Sequence, residues 1–164
     1  MALAVTHVIL TIVLLDLFRY YVFGKKAFPR YLLVVGGVAG LIADIDVPFT
    51  WLYNWTVNAG ASFHGLYTHS IIFPIIFLVA GFILYHQGKS AWAKVSLVIS
   101  VGLFFHLVLD CLFGGYTTFL WPSVISTGFC PEWGMSKFAS GIDALILVAW
   151  LVHEEIHQRI KDYI

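Results

Sequence analysis

Five apolar runs, at about residues 2–23, 31–47, 69–86, 91–113 and 138–156, constrain this chain more than any other feature. A bilayer core about 30 Å thick is crossed by a helix of about 17–25 apolar residues. A helix also satisfies its own backbone polar groups, which hydrocarbon demands. The chain is therefore read as all-α, a polytopic membrane helix bundle of about five transmembrane helices. Composition agrees, with 60% of the 164 residues hydrophobic and 11% charged, where soluble domains carry about 25% charged residues. The mean hydropathy is +0.90. No repeat, low-complexity tract or long linker divides the chain, so residues 1–164 are taken as one membrane-embedded domain. The first run has no Lys or Arg before Arg19 and no small-residue cleavage site. It is read as a retained span and not a secretion signal.

Lys and Arg set the direction, because short cytoplasmic loops carry the excess of positive charge. With five spans, Arg19, Lys25, Lys26, Arg30, Lys89, Lys94, Arg159 and Lys161 fall on one side and only Lys137 on the other. This predicts an outer N-terminus and a cytoplasmic C-terminus in a multi-pass protein of the plasma (inner) membrane. Loops 48–68 and 114–137 then face outward. Trp51, Trp55, Trp121 and Trp133 fall in these loops or at their ends, as an interfacial aromatic belt would.

A formal net charge of zero and scattered His residues give no basic surface for nucleic acid. Cys111 and Cys130 have no C-x-x-C spacing, which argues against a thiolate metal cage. Whether they pair is left open, since that depends on the compartment they face.

Ionisable residues inside spans are costly, so each one is a candidate for function. The predicted topology brings many of them to the outer side at similar depth. His7 lies about two turns below the end of the first span, Asp44 and Asp46 close the second, and His64 and His69 lead into the third. His106 and Asp110, four apart near the outer end of the fourth span, share a helix face and can grip one ion or bridge two. Pro48 is expected to end the second helix and free the two carboxylates to turn into a site. Mixed His and Asp ligands suit one or two divalent transition metal ions, Zn²⁺ first, then Mn²⁺ or Fe²⁺. Asp143, which opens the last span, is a candidate of lower rank, and Asp16 with Arg19 reads as a local ion pair with Arg19 snorkelling to the cytoplasmic interface.

The order of an early His, then Asp-Ile-Asp, then HGLYTHS, then HLVLDCLFGGYTTFLWP resembles the YdjM-type membrane-bound, metal-dependent hydrolases of bacteria and archaea. The resemblance covers most of residues 7–122. In that family's His-Arg-Gly-x-Thr-His-Ser stretch, His64, Thr68, His69 and Ser70 match, while the Arg position is Gly65 here. A more distant likeness is to the zinc-dependent phospholipase C and P1-type nuclease group, which hydrolyses phosphate esters. Carried over by position, His69, His106 and Asp110 would bind one metal, Asp110 bridging to a second held partly by His7. This chain lacks an N-terminal Trp ligand and has Ala139 four residues before Asp143, so the likeness implies one or two ions and not three.

These resemblances imply metal-activated hydrolysis of a phosphate ester or lipid-linked substrate at the outer face, with membrane lipid as the surrounding partner. Asp44 or Asp46 is the catalytic base in this reading, and Asp46 is counted among the metal ligands as well. Ser70 and Thr117 are the candidate substrate-binding hydroxyls. One alternative is a zinc protease on the H-E-x-x-H pattern of His153, Glu154 and His157, with Asp16, His86 or Asp162 as third ligand. Another is a metal transporter or sensor, which needs a polar path through the bilayer. Between Ala93 and Phe105 only Lys94, Ser96 and Ser100 are polar.

Overall fold

The computed structural model describes residues 4–57, 60–63, 68–114, 119–121, 130 and 139–158. All regular structure among them is helical: α1 (Ala4–Phe18), α2 (Tyr31–Ile42), α3 (Asp46–Val57), α4 (Ile72–His86), α5 (Ser90–Gly114) and α6 (Ala139–Gln158). A π-helical turn, Arg19–Phe23, extends α1, and a 3₁₀ turn, Ala43–Ile45, joins α2 to α3. Three stretches are long and apolar enough to cross a membrane: Ala4–Phe23, Tyr31–Val57 and Ser90–Phe113. The apolar helix α4 is shorter, at 15 residues. Five spans are expected from sequence, and three meet both criteria among the described residues.

Burial is inverted relative to a soluble protein. Thr6, His7, Thr11, Asp16, Ser100, His106 and Asp110 are buried, while Val34, Phe82 and Leu145 are 64%, 55% and 72% exposed. In hydrocarbon an apolar side chain gains little by moving inward, whereas a polar one must find a partner inside the protein. Ser96 and Ser100 on α5 illustrate this by donating to the α4 carbonyls of Phe77 and Pro74, at 2.8 and 2.7 Å. These two hydroxyls therefore join helices and do not line a polar path.

Helix α5 is the centre of the bundle, packing on α2 and α4, and α1 packs on α2 and α6. Gly88, with φ of +75°, ends α4 in a left-handed turn, and the Gly88 and Lys89 amides cap the Tyr85 and Leu84 carbonyls at 3.0 Å. The chain thereby reverses at once into α5. The α2–α5 crossing depends on small residues. A Cβ at Gly102 would lie 2.8 Å from both the Ala39 Cβ and the Gly36 carbonyl oxygen.

Three expectations are corrected. Pro48 does not end a helix: α2 stops at Ile42, and Pro48 is the third residue of α3, where the missing N–H has no intrahelical partner to lose. Residues 48–57, expected as outer loop, are helical. Arg19 does not snorkel. It is buried, its Nε donating to the Phe28 carbonyl at 3.0 Å and its Nη1 lying 3.3 Å from Asp16 Oδ1. The expected ion pair is present, but it faces inward.

Candidate metal centre

Residues far apart in sequence meet at one end of the bundle: His7 from α1, Asp44 from the 3₁₀ turn, Asp46 from the start of α3, His69 from the turn before α4, and His106 and Asp110 from α5. All but Asp44 are buried. His106 and Asp110 lie one helical turn apart, so both side chains leave α5 on one face. The 3₁₀ turn at Ala43–Ile45 carries α2 on into α3 and holds Asp44 within 3.6 Å of His69 and His106.

The contacts fix the tautomers. His106 Nδ1 stands 2.7 Å from the Gly40 carbonyl, which can only accept, so Nδ1 carries the proton. The Thr68 hydroxyl donates its proton to Asp46 Oδ2 at 3.0 Å and therefore accepts from His69 Nδ1 at 3.1 Å. Asp46 Oδ2 is also 3.4 Å from that nitrogen. With both rings neutral, the two Nε2 atoms carry lone pairs, and they lie only 3.2 Å apart. Asp110 Oδ2 lies 3.3 Å from each of them. Asp44 Oδ1 lies 3.6 Å from each.

These spacings match a shared coordination sphere. With ligand bonds of about 2.0–2.2 Å, the donor atoms of a tetrahedral ion stand about 3.3–3.6 Å apart. Neither Asp110 oxygen has a hydrogen bond although both are buried and within reach of His nitrogens. A cation between them would satisfy lone pairs and carboxylate charge crowded this closely. Two overlapping groups, Asp44–His69–His106 and His7–His106–Asp110, are placed to hold a metal ion. In the second, His7 Nε2 is 3.5 Å from Asp110 Oδ1, and the His7 ring stacks on His106 at 3.8 Å.

Asp46 sits on the outer nitrogen of His69, away from the Nε2 side where the other donors converge. It makes the arrangement in which a carboxylate orients a ligating imidazole. The Ser70 hydroxyl donates to the Trp121 carbonyl at 2.9 Å and accepts from the Ile72 amide at 3.3 Å, so it docks the 119–121 turn onto the start of α4. His64 and Thr117 lie outside the described residues. Cys111, next to Asp110, forms a disulfide with Cys130, with a Cα–Cα distance of 4.9 Å. Two contributors were not legible from sequence. Thr68 is marked in the sequence only as a matching position of the His-Arg-Gly-x-Thr-His-Ser stretch, with no role attached, and a backbone carbonyl such as that of Gly40 carries no signal.

The opposite end holds a second polar group, Asp16, His153 and Glu154. Here Asp16 is engaged by Arg19 and by the Trp150 indole N–H at 3.2 Å, and His153 Nε2 by the Tyr21 hydroxyl at 3.2 Å. A guanidinium already supplies positive charge to Asp16, which favours an ion-pair network over zinc ligation. The His157 side chain and Asp162 lie outside the described residues, and His86 is exposed at the end of α4.

No curated protein and no solved structure shows significant similarity to the chain. The likeness to zinc phospholipases therefore has no counterpart in these comparisons. The profile of the YdjM inner membrane protein family matches residues 1–159, nearly the whole chain. An apolar helical bundle with a His/Asp cluster at one end thus belongs to the YdjM inner membrane protein family.

Proposed function

We propose that the chain is a membrane-bound, metal-dependent hydrolase acting on phosphate esters, lipid-linked ones included, at the outer face of the inner membrane. The near-equilateral triangle of His69 Nε2, His106 Nε2 and Asp110 Oδ2, with edges of 3.2, 3.3 and 3.3 Å, carries the reading. Three protein ligands with a fourth position left for water is the composition of a hydrolytic zinc site. A divalent ion held there supplies the Lewis acidity that makes water nucleophilic near neutral pH and polarises a phosphoryl oxygen.

The remaining roles belong to the chain. Asp44 stands beside this triangle, its Oδ1 3.6 Å from both Nε2 atoms, and its side chain is 20% exposed, against 0–2% for the three ligands. A carboxylate there accepts the proton of an attacking water arriving from the open side. Asp46 and Thr68 hold the His69 ring, and the Gly40 carbonyl holds His106. His7 Nε2 and Asp110 Oδ1, 3.5 Å apart, would help to hold a second ion, which would add positive charge beside the substrate oxygen. The Lys and Arg distribution supports an outer location, and so does the Cys111–Cys130 disulfide beside Asp110, since disulfides persist in oxidising compartments.

The test separates ligand from base. Elemental analysis of the purified protein should find one or two transition metal ions per chain, lost in His106→Ala and Asp110→Asn. Asp44→Asn should keep the ion and lose hydrolysis of a chromogenic phosphodiester by about 10²–10⁴-fold. Metal-free wild-type protein, or full activity in Asp44→Asn, would overturn the assignment.

A further inference from the structure

At the end of the bundle away from the metal centre lies an apolar cleft of about 380 Å³. It runs between the end of α1 with its π turn, residues 27–28, and the α4–α5 hairpin, and Leu15, Phe28, Leu97 and Val98 are among its lining residues. Phe18, Phe23 and Tyr85 also line it and are 42%, 56% and 65% exposed, so it reaches the surface of the bundle. Its volume falls within the roughly 300–1,000 Å³ of ligand sites.

Charge at the mouth indicates the occupant. Lys94 lines the cleft, Lys89 precedes the lining residue Ser90, and Lys25 and Lys26 lie between the lining residues Phe23 and Ala27. Among the described residues none of these four lysines is paired with a carboxylate, whereas Arg19 is held by Asp16. Lys94 Nζ gives one proton to the Ala27 carbonyl at 2.7 Å, and an ammonium has two more to donate. Lys25 lies 5.1 Å from the centre of the Tyr20 ring, a contact that leaves its ammonium open to an anion. An apolar slot in a membrane-embedded bundle, rimmed by ammonium groups that no carboxylate among the described residues neutralises, is complementary to an acyl chain joined to an anionic headgroup.

We infer that this cleft binds one anionic phospholipid of the lysine-rich leaflet, its acyl chain between α1 and the α4–α5 hairpin and its phosphate at Lys94 and Lys89. The inference does not depend on the metal centre or its chemistry.

The full chain, purified and exchanged into vesicles containing equal phosphatidylglycerol and phosphatidylcholine, is released for native mass spectrometry. One retained phosphatidylglycerol is expected, preferred over phosphatidylcholine by about tenfold or more, as two lysines near a headgroup imply. Lys89→Gln with Lys94→Gln, both at exposed or rim positions, should bring that preference to within about twofold. Val101→Phe, which fills the slot, should remove both lipids while the helical signal and disulfide persist. Equal retention of the two lipids would mean an apolar occupant without headgroup recognition and would overturn the inference. An unchanged preference in the double Lys variant, or unchanged retention in folded Val101→Phe, would overturn it as well.

Discussion

Gly102→Ala places one methyl group at the α2–α5 crossing and tests how packing sets the metal centre. The new Cβ would meet the Ala39 Cβ and the Gly36 carbonyl at 2.8 Å and the Gly40 amide nitrogen at 3.0 Å, none of them on a flexible side chain. Reaching ordinary contact at 3.4 Å moves α2 and α5 apart by about 0.6 Å. His106 is one turn further along α5, and its Nδ1 bond to Gly40 on α2 would lengthen from 2.7 Å to about 3.3 Å, past the usual N–H···O range. Overpacking of this kind costs about 1–3 kcal/mol of stability. Losing the partner that orients a ligating imidazole lowers metal affinity by about 10–100-fold. Competition with a chromophoric chelator gives the affinity, and thermal unfolding in detergent gives the stability. Gly141→Ala is the control, because a Cβ there meets nothing within 4 Å, and it should be neutral or stabilising by up to about 1 kcal/mol. Metal affinity within twofold of wild type in Gly102→Ala would refute the link between this crossing and the site.

Three further outcomes are expected. Asp46→Ala should retain the ion with affinity reduced by about 10–100-fold, whereas Asp110→Ala should abolish binding; equal loss in both, measured by the same competition, would make Asp46 a ligand. Arg19→Gln leaves the Asp16 carboxylate buried without its cation and should destabilise the protein by about 3–5 kcal/mol, read from denaturation in detergent. In intact cells a membrane-impermeant thiol reagent should label Cys111 and Cys130 only after external reduction; labelling without reductant would deny the disulfide, and protection after reduction would place it on the cytoplasmic side.

Much of the fold was readable because the bilayer imposes a length on each apolar run. The stretches 2–23, 31–47, 69–86 and 91–113 anticipate α1 with its π turn, α2 with its 3₁₀ turn, α4 and α5. The error at α3 has a definite cause. Asp44, Asp46 and Pro48 read as a helix stop, yet Asp46 begins a helix and Pro48 occupies its first turn, where acidic groups and proline are both favourable.

Hydropathy and residue order identify the solvent and the inventory: hydrocarbon outside, and His and Asp residues that are costly to bury without a shared partner. Helical periodicity even placed His106 with Asp110 on one face. What each residue touches there is set by contacts between helices. The α2–α5 approach at Gly102 sets His106 on the Gly40 carbonyl, and Thr68 sets His69 against Asp46. Asp44 and Asp46, two residues apart and alike in sequence, are thereby separated into one carboxylate facing the shared centre and one behind a ligand. Tautomer and ligand direction are fixed by atoms across helix crossings, some of them backbone carbonyls, and such contacts leave no mark in the order of side chains.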